Sequence, residues 1–207
     1  MKVFVINGGT SYSRMYEGQG YEVVYSMTEA DLVHFTGGED VSPELYGEEM
    51  HPYTGNNPAR DEQEAELFFD AIRLGKYLVG ECRGAQFLNV MCGGGMWQHV
   101  DGHAIAGQHD VTDTRTGNTY STTSTHHQMM RPTAQAEIIG VSHESSYYEY
   151  MDGKVKRVEP DEDVEVVYYE QGAGVLCFQG HPEYTEKGDS CQEYFFQLLQ
   201  EKFVCAD

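Results

Sequence analysis

The chain of 207 residues sets 34 acidic against 13 basic side chains, a formal net charge of −21 that argues against direct binding of nucleic acid or of an anionic membrane surface. An apolar share of 40% excludes a disordered tail, and the length suits a single domain over residues 1–207 with a core of its own. Five cysteines (Cys82, Cys92, Cys177, Cys191 and Cys205) without paired spacing argue for reduced thiols and against a disulfide or zinc framework.

In chain order, residues 2–7 (KVFVIN), 21–26 (YEVVYS) and 31–36 (DLVHFT) are short runs rich in Val and Phe and bounded by Gly, Ser or Thr, which predicts strands. The N-terminal run is too short for a signal peptide, and no window approaches the ~18 apolar residues of a membrane span, so a cytoplasmic protein is expected. Between Arg60 and Gly75, the residues Ala65, Leu67, Phe68, Ala71, Ile72 and Leu74 recur near helical spacing. Asp61, Glu62 and Glu64 fall in the first turn, where carboxylates suit the helix dipole.

KYLVGE (76–81) then predicts a buried strand, and RGAQFLNVMC (83–92) a helix stopped by Gly93, Gly94 and Gly95. This alternation implies an α/β fold with a mostly parallel central sheet and ligands bound beyond its carboxyl edge. Residues 101–146 are polar, with weak periodicity and no firm structure. VEVVYYE (164–170) and GVLCFQG (174–180) predict an antiparallel pair, EPDEDVE (159–165) an exposed turn before it, and CQEYFFQLLQEKFV (191–204) an amphipathic closing helix.

Cys82 stands where the strand 76–81 gives way to the helix 83–92, between Gly80 and Gly84. A sharp strand-to-helix turn there exposes a side chain at the top of the sheet, and small flanking residues let neighbouring backbone pass close. The helix amino end favours a thiolate, and the Arg83 N–H faces any oxyanion formed on attack. A nucleophile needs a base, and the base an orienting acceptor. His181 follows the strand GVLCFQG, and Pro182 holds Glu183 extended two residues on, on the same side. His103 and His109, with Asp101 and Asp110, fit no standard ligand spacing, so no metal is expected.

GECRGAQ (80–86) resembles the nucleophile segment of class I glutamine amidotransferases, and GHPEY (180–184) their His-Pro-Glu segment. TGGEDVSPELYGE (36–48), RDEQEAELF (60–68) and TSTHHQMM (123–130) are similar to segments of the branch that holds γ-glutamyl hydrolases and γ-glutamyl-γ-aminobutyrate hydrolases. The resemblance implies a flavodoxin-like three-layer α/β sandwich with a nucleophile elbow, and a catalytic triad of Cys82, His181 and Glu183. It further implies an oxyanion hole from Arg83 and the loop of Gly37 and Gly38, substrate-side roles for Gln86, Ser124 and His127, and no cofactor. Thr123 replaces the branch's usual Asn, and Gly180 a frequent aromatic. The expected reaction is hydrolysis of glutamine or of a γ-glutamyl amide. A glutaminase subunit serving a separate synthase partner, and a non-catalytic binding domain on the same fold, are the alternatives.

Overall fold

A computed structural model describes residues 1–204, with only the backbone of Ala106; Cys205 lies outside the described residues. Its centre is a nine-stranded sheet in the order β2-β1-β3-β4-β14-β13-β10-β7-β8. Five strands, β1 (Lys2–Ile6), β2 (Glu22–Val24), β3 (Leu32–Phe35), β4 (Tyr77–Glu81) and β14 (Val175–Phe178), are mutually parallel. Their order is the 2-1-3-4-5 of a flavodoxin-like sheet, with β14 in the fifth place.

Beyond β14 the sheet continues antiparallel through β13 (Asp163–Tyr169), β10 (Glu137–Ser142), β7 (Ala104–Asp113) and β8 (Thr119–Thr125). The last three fill the segment whose sequence showed no firm pattern. Register shifts within β7 and β10 break their alternation, which removes the period-two signal. Smaller sheets pair β5 (Gly95–Trp97) with β9 (Met129–Arg131), and β6 (His99–Val100) and β12 (Val155–Val158) with β11 (Tyr148–Met151).

Helices cover both faces. On one, α2 (Pro58–Arg73) and α3 (Arg83–Met91) pack Phe68, Ala71, Phe87 and Leu88 against Val33, Phe35, Leu78 and Cys177. On the other, α1 (Thr10–Gly18) and α4 (Ser190–Phe203) pack Met15, Tyr16, Phe195, Leu198 and Leu199 against Val3, Leu32, Val79 and Leu176. At ~25 cal/mol per Å2 of apolar surface removed from water, these two layers are the main source of stability. Among the described residues no helix is long and apolar enough to cross a membrane.

Two elements differ from expectation for identifiable reasons. α1 shows only Tyr12, Met15 and Tyr16 on its buried side, too few apolar positions to stand out. The acidic run before β13 is exposed at Asp161 and Glu162, but Asp163 and Glu165 turn inward and are buried.

Candidate active site

Three adjacent parallel strands end at one place. Gly37 follows β3, Cys82 follows β4 and His181 follows β14, and the ladder aligns Phe35 with Gly80 and Glu81 with Phe178. Cys82 occupies the elbow between β4 and α3 with φ 47° and ψ −117°, a conformation rare for a residue bearing a Cβ. Its N–H donates to the Phe178 carbonyl at 3.0 Å, so β14 holds the elbow in place. Packing then over-determines the turn: a Cβ on Gly80 would strike the Gly84 carbonyl, and one on Gly84 the Phe35 carbonyl. Such strain costs of order 1–3 kcal/mol and persists only where the surroundings impose it.

His181 Nδ1 lies 2.9 Å from Glu183 Oε1, and its backbone N–H donates to Thr123 Oγ1 at 2.6 Å. The imidazole also stacks on exposed Tyr184, with ring centroids 4.7 Å apart. Burial alone would depress the imidazolium, but hydrogen bonds to Cys82 and Glu183 reverse this and raise its pKa to about 11. Gly37 fits between the two reacting groups: an added Cβ there would sit 2.8 Å from His181 Cε1 and 3.7 Å from Cys82 Cβ. Cys82, His181 and Glu183 thus come together, 99 and 101 positions apart in the chain by their numbers.

The loop and the elbow are cross-braced by α2. Arg60 donates to the Thr36 and Gly37 carbonyls at 3.0 and 3.1 Å, and its Nε to Glu64 Oε1 at 2.7 Å. Buried Arg83 pairs with Glu64 Oε2 and with Asp61, which also binds Ser42. The helix begins at Pro58, so only Asp61 of the three expected carboxylates lies in its first turn; Asp61 and Glu64 bind arginine side chains, a stronger role than the dipole contact expected for them. With its guanidinium turned to α2, Arg83 presents its N–H at the first turn of α3, where helix geometry supplies no acceptor.

Gly37 donates its N–H to Tyr12 Oη at 3.4 Å. Gln86 is buried, its amide nitrogen 3.3 Å from both the Gln128 carbonyl and Gln179 Oε1. His127 is partly exposed and reaches Asp40 Oδ1 at 3.1 Å, joining the glycine loop to the 123–130 segment. Ser124 points away from His181, as alternation along β8 requires once Thr123 faces it; its hydroxyl donates to the His103 carbonyl at 2.6 Å. Gly180 aims its missing side chain at Phe178 and Cys191.

Sequence reasoning missed Glu81, Tyr12 and His34, which lie behind His181 and Glu183. Fully buried Glu81 Oε1 is 3.9 Å from His181 Nδ1 and its Oε2 is 3.5 Å from His34 Nε2. Burial, then the charge of Glu183, raises its pKa well above the carboxylate range, which favours the protonated acid beside the Glu183 carboxylate. His34 is held neutral by burial, its pKa lowered to about 3, and shares a 2.6 Å hydrogen bond with Tyr16. The one available signal was a carboxylate ending an apolar strand next to the nucleophile.

The model of the family described as Peptidase C26 matches residues 7–183. The glutamine amidotransferase-like protein YvdE of Lactococcus lactis is 28% identical, over 84% of this chain and 74% of its own. Protein NtpR of Enterococcus hirae is 31% identical, over 84% of this chain and 75% of its own. A glutamine amidotransferase from Thermotoga maritima of known structure superposes with a TM-score of 0.62 at 13% identity, over 99% of this chain and 86% of its own, which shows a shared fold.

Proposed function

The chain belongs to the peptidase C26 family, within the class I glutamine amidotransferase-like group, and from that premise we propose a cysteine amidohydrolase that cleaves the γ-amide of glutamine or of a γ-glutamyl amide. The observation that carries the proposal is the convergence of the Cys82 elbow, the His181–Glu183 pair and the Gly37–Gly38 loop at the ends of three neighbouring strands. Free thiols at Cys82, Cys92, Cys177 and Cys191 accord with a reducing, cytoplasmic setting.

In this reaction Cys82 Sγ, its proton already held by the His181 imidazolium, attacks the γ-carbonyl carbon. The oxyanion accepts from the Arg83 N–H and from Gly38, because the Gly37 N–H is engaged by Tyr12. His181 then protonates the departing nitrogen as the C–N bond breaks, leaving a γ-glutamyl thioester. Water, deprotonated by His181, attacks the thioester and expels the Cys82 sulfur, which releases glutamate and leaves the proton on His181. Glu183 holds the imidazole and stabilises its cation throughout. His127 faces the substrate side, while Gln86 and Ser124 brace the wall behind it.

The test is a glutamate-release screen across glutamine and γ-glutamyl amides, with Cys82→Ala as control. Release by the wild type that drops at least ~1,000-fold in the variant supports the reading. Equal rates refute it. Turnover of glutamine that stays negligible until a synthase is added assigns the chain to the subunit class, and failure to turn over any amide or react with a cysteine-directed glutamine analogue makes it a binding domain.

A further inference from the structure

The β7–β8 hairpin and β13 enclose a second cluster of ligating side chains, which the reaction above does not use. His103, His109, His126, Asp163 and Glu165 are all buried. Glu165 Oε1 lies 3.3 Å from His103 Nδ1, 3.3 Å from His109 Nε2 and 3.7 Å from His126 Nε2. Zinc binds imidazole nitrogen and carboxylate oxygen at ~2.0–2.1 Å, which puts neighbouring ligands of a tetrahedron about 3.3 Å apart. The three separations fall at or just above that edge length.

Two of the three far ring nitrogens lie against an oxygen, while His109 Nδ1 has no partner among the described residues. His103 Nε2 is 3.1 Å from Asp163 Oδ2, and His126 Nδ1 is 2.9 Å from the Gln128 carbonyl. A carboxylate or carbonyl in that position fixes the tautomer of a metal-bound imidazole and turns its other nitrogen to the ion. On the inner side, His109 Nε2, His126 Nε2 and Glu165 Oε2 have no hydrogen-bond partner among the described residues. Buried polar atoms without partners are costly, and so many at one point require a common one.

We propose that His103, His126 and Glu165, whose ligand atoms converge within 4.8 Å, form a structural site for a divalent transition-metal ion, Zn2+ by its donor set, with His109, 3.3 Å from Glu165, as the fourth ligand and Asp163 as an outer partner. Imidazoles with a single carboxylate suit Zn2+ and exclude Mg2+ and Ca2+, which take mainly oxygen ligands. Three neutral imidazoles and one carboxylate leave a single positive charge, which Asp163 balances. The spacing gave no hint of this because a register shift between Ala104 and Gln108 loops out part of β7 and brings the His103 and His109 rings to 5.1 Å. Asp101 takes no part: it caps the turn at Ser146 and Tyr147.

The site adjoins the wall of the catalytic pocket. Thr123, which holds the His181 N–H, is next to Ser124, and the Gln128 carbonyl that accepts from His126 also accepts from Gln86. The ion therefore fixes β8 behind the triad without touching substrate.

The test is metal analysis by inductively coupled plasma mass spectrometry on the full chain, purified without a polyhistidine tag. About one Zn2+ per chain is expected, kept in Cys82→Ala and His181→Ala and lost in His126→Ala and in Glu165→Gln. Asp163→Asn should weaken Zn2+ binding roughly 10- to 100-fold. Since ligand variants can unfold, chelator-treated wild-type chain is also titrated with ZnCl2 and CoCl2, where a rise in Tm and a tetrahedral Co2+ spectrum are expected. No bound metal together with no Zn2+-dependent rise in Tm overturns the proposal. So does metal that departs in His181→Ala and persists in His126→Ala, because Glu81, His181 and Glu183 form the other set of converging ligands.

Discussion

Glu64 and Arg83 form a buried ion pair that ties the nucleophile elbow to α2, and the other oxygen of the same carboxylate holds Arg60 at 2.7 Å. Because Arg60 in turn grips the carbonyls of Thr36 and Gly37, one side chain sets the distance between the elbow and the glycine loop. Removing it leaves the buried Arg83 guanidinium with Asp61 as its one carboxylate, and Arg60 with Glu39 and the loop carbonyls. Glu64→Ala should cost about 3–5 kcal/mol of stability, read by urea unfolding. At a temperature where the variant stays folded, kcat should fall more than KM rises, because the loop's oxyanion donor matters chiefly in the transition state.

The left-handed backbone of Cys82 gives an inverted order of stability. Inside a helix or strand Ala is more stable than Gly, but at φ 47° a Cβ is strained. Cys82→Gly should be more stable than Cys82→Ala by about 1 kcal/mol in chemical denaturation, although both are inactive. An Ala variant as stable as the Gly variant would mean the elbow carries no strain.

His181 makes stability fall on the alkaline side. Its folded pKa is raised to about 11, against ~6.5 in an unfolded chain. The contribution is present in full below the unfolded value and is lost as pH rises through that window. Urea unfolding between pH 7 and pH 10 should show a steeper decline for the wild type than for His181→Gln. Parallel declines would contradict the assignment.

Glu81 acts in the opposite sense to a paired carboxylate. Its folded pKa is raised, so below the unfolded value of ~4.3 both states are protonated and nothing is gained or lost. Above it the unfolded chain ionises first, and burial of the acid becomes a growing cost. Glu81→Gln, which copies the protonated acid, should match wild-type stability at pH 4 and exceed it at pH 8, with kcat/KM kept within about threefold. Glu81→Leu, which cannot hydrogen-bond to Glu183, should lower kcat/KM.

What was legible in the sequence was local. The Val- and Phe-rich runs of β1, β3 and β4, the glycines around Cys82 and the His-Pro-Glu segment each carry their signal within a few residues. What escaped depends on contacts set by distant chain. Glu81 reads as the end of an apolar strand until β14 lays Glu183 beside it. Asp163 and Glu165 read as a solvated acidic run until the β7–β8 hairpin brings histidines over them. Thr123 and Ser124 are similar polar neighbours in sequence, yet the pleat of β8 sends one to His181 and the other to His103. The α2 carboxylates could be placed on a helix but not matched to Arg83, because that pairing depends on how α2 and α3 pack.

β14 is the last strand in chain order, yet it lies fifth of nine in the sheet, between β4 and β13. A chain emerging during synthesis has the thiol at position 82 long before it has the imidazole that serves it, and until β14 inserts, both neighbouring strands present open edges. On the proposed mechanism, catalytic competence would therefore arrive in one event, when β14 closes the sheet and brings His181 to Cys82. A chain cut before β14 would then be inert rather than weakly active, so turnover would double as a report that the sheet has closed.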